Sequence, residues 1–285
     1  MSRSIQESAE AFRKSISASS IGDVNFPTSL DASRRVLKAV DNPDIGLGAL
    51  AKIVVAEPLL SAKVIRLANS VAFNPLNQTV RDVRQAVLRI GMEPIKALAM
   101  LLIMDQLRQA QKSSSCRGFS NLLWERSVHV AALAVVLARK LTRLSADEAM
   151  FAGIVHDLGR FYLLSKVSEF SELLDDQVVF AETINDLAPQ ASEMVLNALN
   201  LPSSVIDAVL ASRCFSGELP PATLGDLLFV AKAVSPRQDP FLELDSRVVP
   251  VVDAAISLGM DQGTVAEVIA ASGDEIYSIV VALES

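Results

Sequence analysis

The stretch Phe151-Ala152-Gly153-Ile154-Val155-His156-Asp157-Leu158-Gly159 decides how the rest of this sequence is interpreted. It places an imidazole next to a carboxylate, and such a pair can bind one divalent cation, with the carboxylate supplying charge and the imidazole a nitrogen ligand. A buried histidine whose neighbouring aspartate fixes its tautomer is also an ordinary structural pair. The pair His156 and Asp157 therefore has two interpretations, and the surrounding sequence has to separate them.

Apolar residues on both sides of this stretch recur at intervals of three and four, which is the period of an α-helix. Ser145 and Glu148 form a capping-box pattern, which predicts one helix over residues 147–164 that runs through the His-Asp pair. In 95–111 the apolar residues extend almost all round, so we expect a central, buried helix there. The same period predicts helices at 59–73, 83–90, 122–141, 180–187, 191–199, 203–211, 223–234, 248–258 and 264–283. The predicted fold class is all-α.

A polar run of small residues at 112–118 is the best candidate for an interior linker. It predicts two packed helical subdomains that meet near residue 115. We accordingly expect an N-terminal helix or tail (1–24), an N-terminal helical subdomain (25–115), a second helical subdomain (116–240) and a C-terminal helical extension (241–285).

Composition and charge exclude several classes of protein. Hydrophobic residues make up 51% of the 285 residues, which is enough to fill a large core and excludes wholesale disorder. The net charge is −7 with no basic run, whereas a nucleic-acid partner requires cations that neutralise phosphates. The longest apolar runs, 97–104 and 130–138, are shorter than the roughly eighteen residues of a membrane-spanning helix, and 1–20 has no signal-peptide pattern. We expect a cytoplasmic protein with no membrane or nucleic-acid partner.

Histidine and cysteine are scarce, which limits the metal sites that this chain can build. The two histidines are His129 and His156, and the two cysteines, Cys116 and Cys214, stand far apart and near no histidine cluster. This pattern favours reduced thiols over a disulfide or a zinc site.

Several strings resemble one known family, and they occur in that family's order. The stretch 151–159 resembles the doublet segment of the HD superfamily of metal-dependent phosphohydrolases. Upstream, 53–70 looks like the signature of HDOD domains, which are HD-related output domains of bacterial signalling proteins, and 82–91 and 124–131 are similar to later HDOD segments. The resemblance runs from about residue 26 to about residue 234. It implies that the second helical subdomain is HD-domain-like.

The family signature ends in Asn69 and Ser70, at the predicted end of an apolar helix. The resemblance implies that these two residues link the first subdomain to the second. Simple capping of the helix C-terminus is the alternative interpretation.

The sequence departs from the pattern of an active HD site, which resembles His … His-Asp … Asp. Aligned on Val130-Ala131, the position of the first histidine falls on Arg126 and not on His129, and the position of the last aspartate falls on Lys232. Cations at two ligand positions oppose a divalent ion electrostatically. Where related domains carry further histidines, this chain has Ala188, Ser212 and Arg213.

The resemblance therefore implies a degenerate site made of Arg126, His156, Asp157 and Lys232, without a metal or another cofactor. His129 is an accessory candidate, because it lies one turn after Arg126. We expect Asp157 to pair with Arg126 in particular, because a buried, unpaired carboxylate is costly.

The function implied by the resemblance is a non-catalytic HDOD signal-transduction module, not an enzyme. It would act as a regulatory or scaffolding protein through protein partners in trans, such as signalling enzymes or response regulators. One alternative is a divergent HD-type metal-dependent phosphohydrolase acting on nucleotides or cyclic dinucleotides. Another is a domain that senses a nucleotide or another anion without turnover, through Arg126 and Lys232.

Overall fold

Helices provide the regular structure in the computed structural model, which describes residues 4–19, 31–111, 114–216, 219–245, 247 and 262–284. No β-strand occurs in these ranges, so the all-α prediction is confirmed. The α-helices in chain order are α1 (Ile5–Ala18), α2 (Asp31–Val40), α3 (Leu47–Val55), α4 (Pro58–Asn69), α5 (Val83–Ile90), α6 (Met92–Gln109), α7 (Ser114–Leu141), α8 (Ala146–Val155), α9 (Leu158–Lys166), α10 (Gln177–Ala198), α11 (Ser203–Ala211), α12 (Leu224–Ala233), α13 (Gln262–Ala271) and α14 (Gly273–Glu284). Short 3-10 helices at Val167–Glu169 and Ser171–Asp175 join α9 to α10.

The central helix of the first hundred residues is α6, as the sequence predicts. It is buried at every position from Pro94 to Met104. It packs against α2, α4 and α5 on one side and against α7, α8 and α9 on the other. The two halves of the molecule are therefore joined mainly through α6.

Asn69 and Ser70 form local hydrogen bonds at the end of α4. The Asn69 Nδ2 atom donates to the Ile65 and Val80 carbonyl oxygens at 3.0 and 2.6 Å, and the Val80 amide donates back to Asn69 Oδ1 at 2.7 Å. The Ser70 hydroxyl donates to the Leu67 carbonyl oxygen at 2.7 Å. The bonds to Ile65 and Leu67 follow the capping interpretation, and the two bonds with Val80 tie the end of α4 to the segment before α5. The expected link to the second half is wrong for these side chains, whose bonds within the described residues all stay in the first half.

The longest helix, α7, forms the core of the second half. It packs against α8, α9 and α12 and also against α13 and α14. By length and composition its residues Ser115–Leu141 are apolar enough to cross a membrane, but 78% of the apolar window is buried inside the protein. Because most of this window is buried inside the protein, α7 is a core helix of the fold.

Helix α7 begins inside the predicted linker, so the prediction of a linker is wrong for residues 114–118. Cys116 is buried, and the Phe119 ring stacks on Phe241 with centroids 4.9 Å apart. Packing of the Cys116 and Phe119 side chains outweighs the polar composition of the segment, which by itself favours a linker. Residues 112–113 lie outside the described part of the chain.

Three further helix boundaries differ from the sequence prediction. The predicted helices at 180–187 and 191–199 form one helix, α10, with Pro189 inside it. The predicted helix at 147–164 divides into α8 and α9, and that at 264–283 divides into α13 and α14. The α3 helix was not predicted, and the predicted helix at 248–258 lies outside the described residues.

Two glycines set how closely the helices around the His-Asp pair approach one another. A Cβ atom added to Gly153 in α8 would lie 2.5 Å from the Cα of Ala131 in α7. A Cβ atom added to Gly159 in α9 would lie 2.5 Å from the backbone nitrogen of Ser192 in α10. The contact at Gly159 holds α9 against α10 close to Pro189, where the proline removes one hydrogen bond of the helix.

The last helix, α14, packs against both α4 and α7. The buried Lys63 ammonium group of α4 donates to the Leu283 carbonyl oxygen at 2.7 Å, and Arg139 of α7 lies 3.3 Å from Glu275. Residues 273–284 of the predicted C-terminal extension therefore contact both halves of the fold.

Replacing Gly153 tests whether the approach of α8 to α7 requires glycine. Gly153→Ala is expected to lower the free energy of unfolding by about 1–3 kcal/mol, because the new methyl group meets backbone atoms that cannot move aside. Gly118→Ala, in an open part of α7, is the matched control and should be neutral or stabilising by up to about 1 kcal/mol. Urea unfolding followed by circular dichroism measures both. Equal effects of the two substitutions would contradict the close packing.

Candidate functional site

The chain turns sharply at the His-Asp pair. This turn divides the predicted helix at 147–164 into α8 and α9. Helix α8 ends at Val155, and Asp157 takes φ −101° and ψ 9° before α9 begins at Leu158. The His156 Nδ1 atom lies 2.7 Å from the carbonyl oxygen of Gly153, so Nδ1 donates to a carbonyl at the end of α8. The turn presents His156 and Asp157 toward the space between α7, α10 and α12.

Asp157 is only 4% exposed and is surrounded by cationic side chains. Its Oδ1 accepts a hydrogen bond from Arg160 Nη1 at 3.1 Å, and its Oδ2 lies 3.7 Å from Arg126 Nε and 3.0 Å from His156 Nε2. The predicted ion pair between Asp157 and Arg126 is therefore present. The closer guanidinium, however, belongs to Arg160.

A second buried carboxylate, Asp239, completes this arrangement. Arg160 Nη1 donates to Asp239 Oδ2 at 2.5 Å, and Arg126 Nε lies 3.8 Å from the same oxygen. The backbone amide of Phe241 donates to the other oxygen, Oδ1, at 3.0 Å. We call Arg126, Asp157, Arg160 and Asp239 the four-charge cluster.

Sequence reasoning missed Arg160 and Asp239. Arg160 follows Asp157 by one helical turn, a spacing that could have identified it as a partner. Asp239 lies in the loop after α12, and no local pattern indicates that it meets Arg160, 79 residues earlier. Asn185 of α10 was missed as well: it accepts from Arg160 Nη2 at 2.9 Å and fixes the guanidinium plane.

The cluster keeps both aspartates ionised. Burial by itself raises the pKa of Asp157, but interactions with His156, Arg160 and Arg126 outweigh it and hold that pKa well below the ordinary value. Burial likewise opposes ionisation of Asp239, and Arg160 and Arg126 lower its pKa. Two arginines and two carboxylates thus balance each other in a largely buried environment.

Lys232 lies beside the cluster without joining it. Its ammonium group donates to the Ser212 carbonyl oxygen at 2.7 Å and to the Ser212 hydroxyl at 2.9 Å. Burial, followed by repulsion from Arg126, lowers the pKa of Lys232 to about 7. Desolvation of the ammonium group therefore makes Lys232 easier to deprotonate than an exposed lysine.

A cavity of about 300 Å³ opens on this arrangement. All four residues of the cluster line it, together with His156, Lys232 and Asn185, and so do Ala188, Ser212 and Arg213. The structure thus brings the four predicted degenerate-site residues to one place.

His129 does not contribute to this cavity. Its Nδ1 lies 2.8 Å from the carbonyl oxygen of Glu125 in its own helix, and it is absent from the cavity lining. The accessory interpretation of His129 is therefore wrong, and a satisfied helix histidine describes it.

The residues present do not fit a divalent metal ion. The Oδ2 atom of Asp157 faces Arg126, while Arg160 bridges the remaining oxygen of Asp157 and the Oδ2 atom of Asp239. In the described part of the chain no three His, Cys, Asp or Glu side chains form a group that could hold a metal ion. An ion placed here would lie against guanidinium groups, which repel it.

Comparison with protein families agrees with the resemblance seen in the motifs. The model of the HDOD domain matches residues 26–213, about two thirds of the chain. The chain belongs to the HDOD domain family. The match includes the signature helix α4 and the His-Asp turn of this HDOD domain.

Solved structures with the same fold come from several bacteria. A protein of Shewanella amazonensis, provisionally named a metal-dependent phosphohydrolase, superposes with a TM-score of 0.77 at 20% identity, covering 98% of this chain and 99% of that one. An HDOD domain protein of Geobacter sulfurreducens gives a TM-score of 0.62 at 18% identity, with 99% and 98% coverage. At these identities the likeness establishes an HD-like all-α fold and no activity.

A curated relative is much longer than this chain. An uncharacterised protein of Treponema pallidum is 21% identical over 181 residues, which are 62% of this chain and 30% of that protein. The HDOD chain therefore corresponds to less than a third of that relative.

Removing the carboxylate of Asp157 tests the four-charge cluster. Asp157→Asn is expected to lower the free energy of unfolding by about 2–5 kcal/mol, because the two arginines then share a single carboxylate. Combined with Arg126→Gln, the loss should be smaller than the sum of the single losses. Asp207→Asn, on the exposed face of α11, is the control and should change stability by less than about 0.5 kcal/mol. Strictly additive losses in urea unfolding would show that the pair is not coupled.

The pH dependence of stability tests the environment of Lys232. Its pKa of about 7 lies below the ordinary 10.5, so between these values the unfolded chain binds more protons than the folded one. The stability contributed by Lys232 therefore rises with pH from about 7 to 10 and is lost as the pH falls to 7.

Lys232→Met should abolish this pH dependence. As the pH rises from 7 to 10, the free energy of unfolding of the wild type should increase relative to that of the variant, by at most about 1.4 kcal/mol per pH unit. Arg126, Asp157, Arg160 and Asp239 face the same ammonium group and are present in both proteins, so the comparison isolates Lys232. Parallel pH profiles from pH 7 to 10 would contradict the lowered pKa.

Proposed function

We propose that this HDOD domain is a non-catalytic regulatory or scaffolding module of signal transduction, which acts through protein partners in trans. The observation that carries the proposal is the four-charge cluster at the HD-like turn. Protein cations there neutralise the carboxylates that would otherwise require a metal ion. The site thus acts as a structural ion-pair core.

Hydrolysis of a phosphate ester by a metal site needs the ion to generate hydroxide and to hold the phosphoryl oxygens. In this chain Asp157 is already ion-paired with Arg160 and Arg126, and the Lys232 ammonium group lines the same cavity. A divergent phosphohydrolase would have to break these pairs before an ion could bind. The geometry therefore favours the regulatory module over the enzyme.

The partners we propose are signalling enzymes or response regulators, and the compartment we propose is the cytoplasm. Both follow from the resemblance to bacterial output domains. The acidic net charge of −7 favours protein partners over nucleic acid.

Metal content and turnover test the proposal together. The full chain, incubated with Mn²⁺, Fe²⁺ or Zn²⁺ and then desalted, should retain far less than one ion per chain by elemental analysis. It should also release no product from nucleotides or cyclic dinucleotides. One ion per chain lost on His156→Ala, together with metal-dependent turnover, would falsify the proposal.

A variant with restored ligand types serves as the matched comparison. Arg126→His combined with Lys232→Asp removes the two cations and adds two potential ligands at the HD-like positions. We expect this double variant to retain more metal than the wild type. Equal, negligible retention in a folded variant would show that these two cations are not what excludes the ion.

A further inference from the structure

We infer that the cavity beside the four-charge cluster binds a small organic phosphate, whose phosphoryl group contacts Arg213, Lys232 and the cluster. The inference rests on the proposed function, because it requires that no metal ion occupy this place. It goes beyond that function by assigning the cavity a ligand class.

The first argument is the local excess of positive charge. Four cationic side chains, Arg126, Arg160, Arg213 and Lys232, line the cavity, while the carboxylates that line it are Asp157 and Asp239. This positive cavity lies in a chain whose net charge is −7. With Lys232 protonated, the four positive and two negative charges are balanced by one dianion, which is the charge of a phosphate monoester.

The second argument is a set of buried polar atoms without hydrogen-bond partners. Within the described residues, the guanidinium atoms Arg126 Nε and Arg160 Nε make no hydrogen bond, and neither does the carboxylate oxygen Asp157 Oδ2 beside them. Both arginines line the cavity, and Arg126 is only 5% exposed. Unsatisfied buried donors are rare in folded proteins, and an anion is the ligand that would satisfy them.

The third argument is the position of Arg213. It is exposed, it lines the cavity, and it has no ion pair with any side chain in the described ranges. A guanidinium group forms two parallel hydrogen bonds with a phosphate. Arg213 can therefore bind the phosphate without first breaking an ion pair with another side chain.

The size and the walls of the cavity limit the ligand. A volume of about 300 Å³ is at the lower end of the range for ligand pockets, so a small molecule fits better than a dinucleotide. Apolar side chains form part of the wall: Pro189, Val209, Leu210, Phe229 and Leu242. A phosphate that carries a compact organic group would use both the cations and this wall.

Binding would also change the protonation of Lys232. Burial and Arg126 hold its pKa near 7, and a dianion nearby favours the charged form. Above pH 7 the complex should therefore take up a proton. The proton comes from solvent and no covalent bond is broken.

Calorimetric titration of the full chain tests the inference, with adenosine 5′-monophosphate, inorganic phosphate and adenosine as probes. Adenosine 5′-monophosphate is expected to bind with a Kd below 1 mM and to raise the melting temperature, whereas adenosine should not bind. Inorganic phosphate should bind at least ten-fold more weakly than the nucleotide. If phosphate binds as tightly as the nucleotide, the assignment of an organic phosphate is wrong.

Variants locate the binding. Arg213→Ala, at an exposed position where folding is not at risk, should weaken binding of the nucleotide at least ten-fold, and Lys232→Met should do the same. Arg143→Ala, an exposed arginine outside the cavity, is the control and should leave binding unchanged. Equal binding by wild type and Arg213→Ala would overturn the inference.

The same titration separates this inference from the proposed function. Chromatography of the nucleotide after the experiment shows whether it is intact. If the nucleotide stays intact and does not bind at millimolar concentration, the inference is wrong but the proposed function is unaffected. Metal-dependent hydrolysis of the nucleotide would instead overturn the non-catalytic function.

Discussion

The second half of the molecule is organised around the burial of a charged carboxylate. Asp157 can stay ionised at 4% exposure only if cations surround it, because desolvating an unpaired charge costs several kcal/mol. Arg126 comes from α7, Arg160 from α9 and Asp239 from the loop after α12, so these three elements must meet at one point. The glycines at 153 and 159 allow the helices to come close enough for that meeting.

The ion pairs of the four-charge cluster distinguish this HDOD domain from a metal-dependent HD phosphohydrolase. The fold is HD-like, and guanidinium groups compensate the carboxylates at the His-Asp turn of this chain. Ion pairs of this kind are directional and hold specific helices together, whereas a metal ion would also provide chemistry.

Regulation through protein partners and binding of a small anion are compatible in such a fold. The cavity lies between α7, α10, α11 and α12, so a ligand there would contact several helices at once. A ligand that binds only the folded state stabilises it, and it can change the surface that those helices present to a partner. The proposed phosphate would then act on the same helices that the four-charge cluster holds together.

The sequence by itself determined the all-α class and the burial of α6, and it identified Arg126 and Lys232 as candidate residues of one site. Helical period records which face of one helix is buried, and a motif records which residue types stand at fixed spacing. The break at His156, the continuity of α10 across Pro189 and the meeting of Arg160 with Asp239 were decided by the tertiary structure. The reason is physical: these features depend on how closely helices pack, and groups 79 residues apart are brought within hydrogen-bond distance only by that packing.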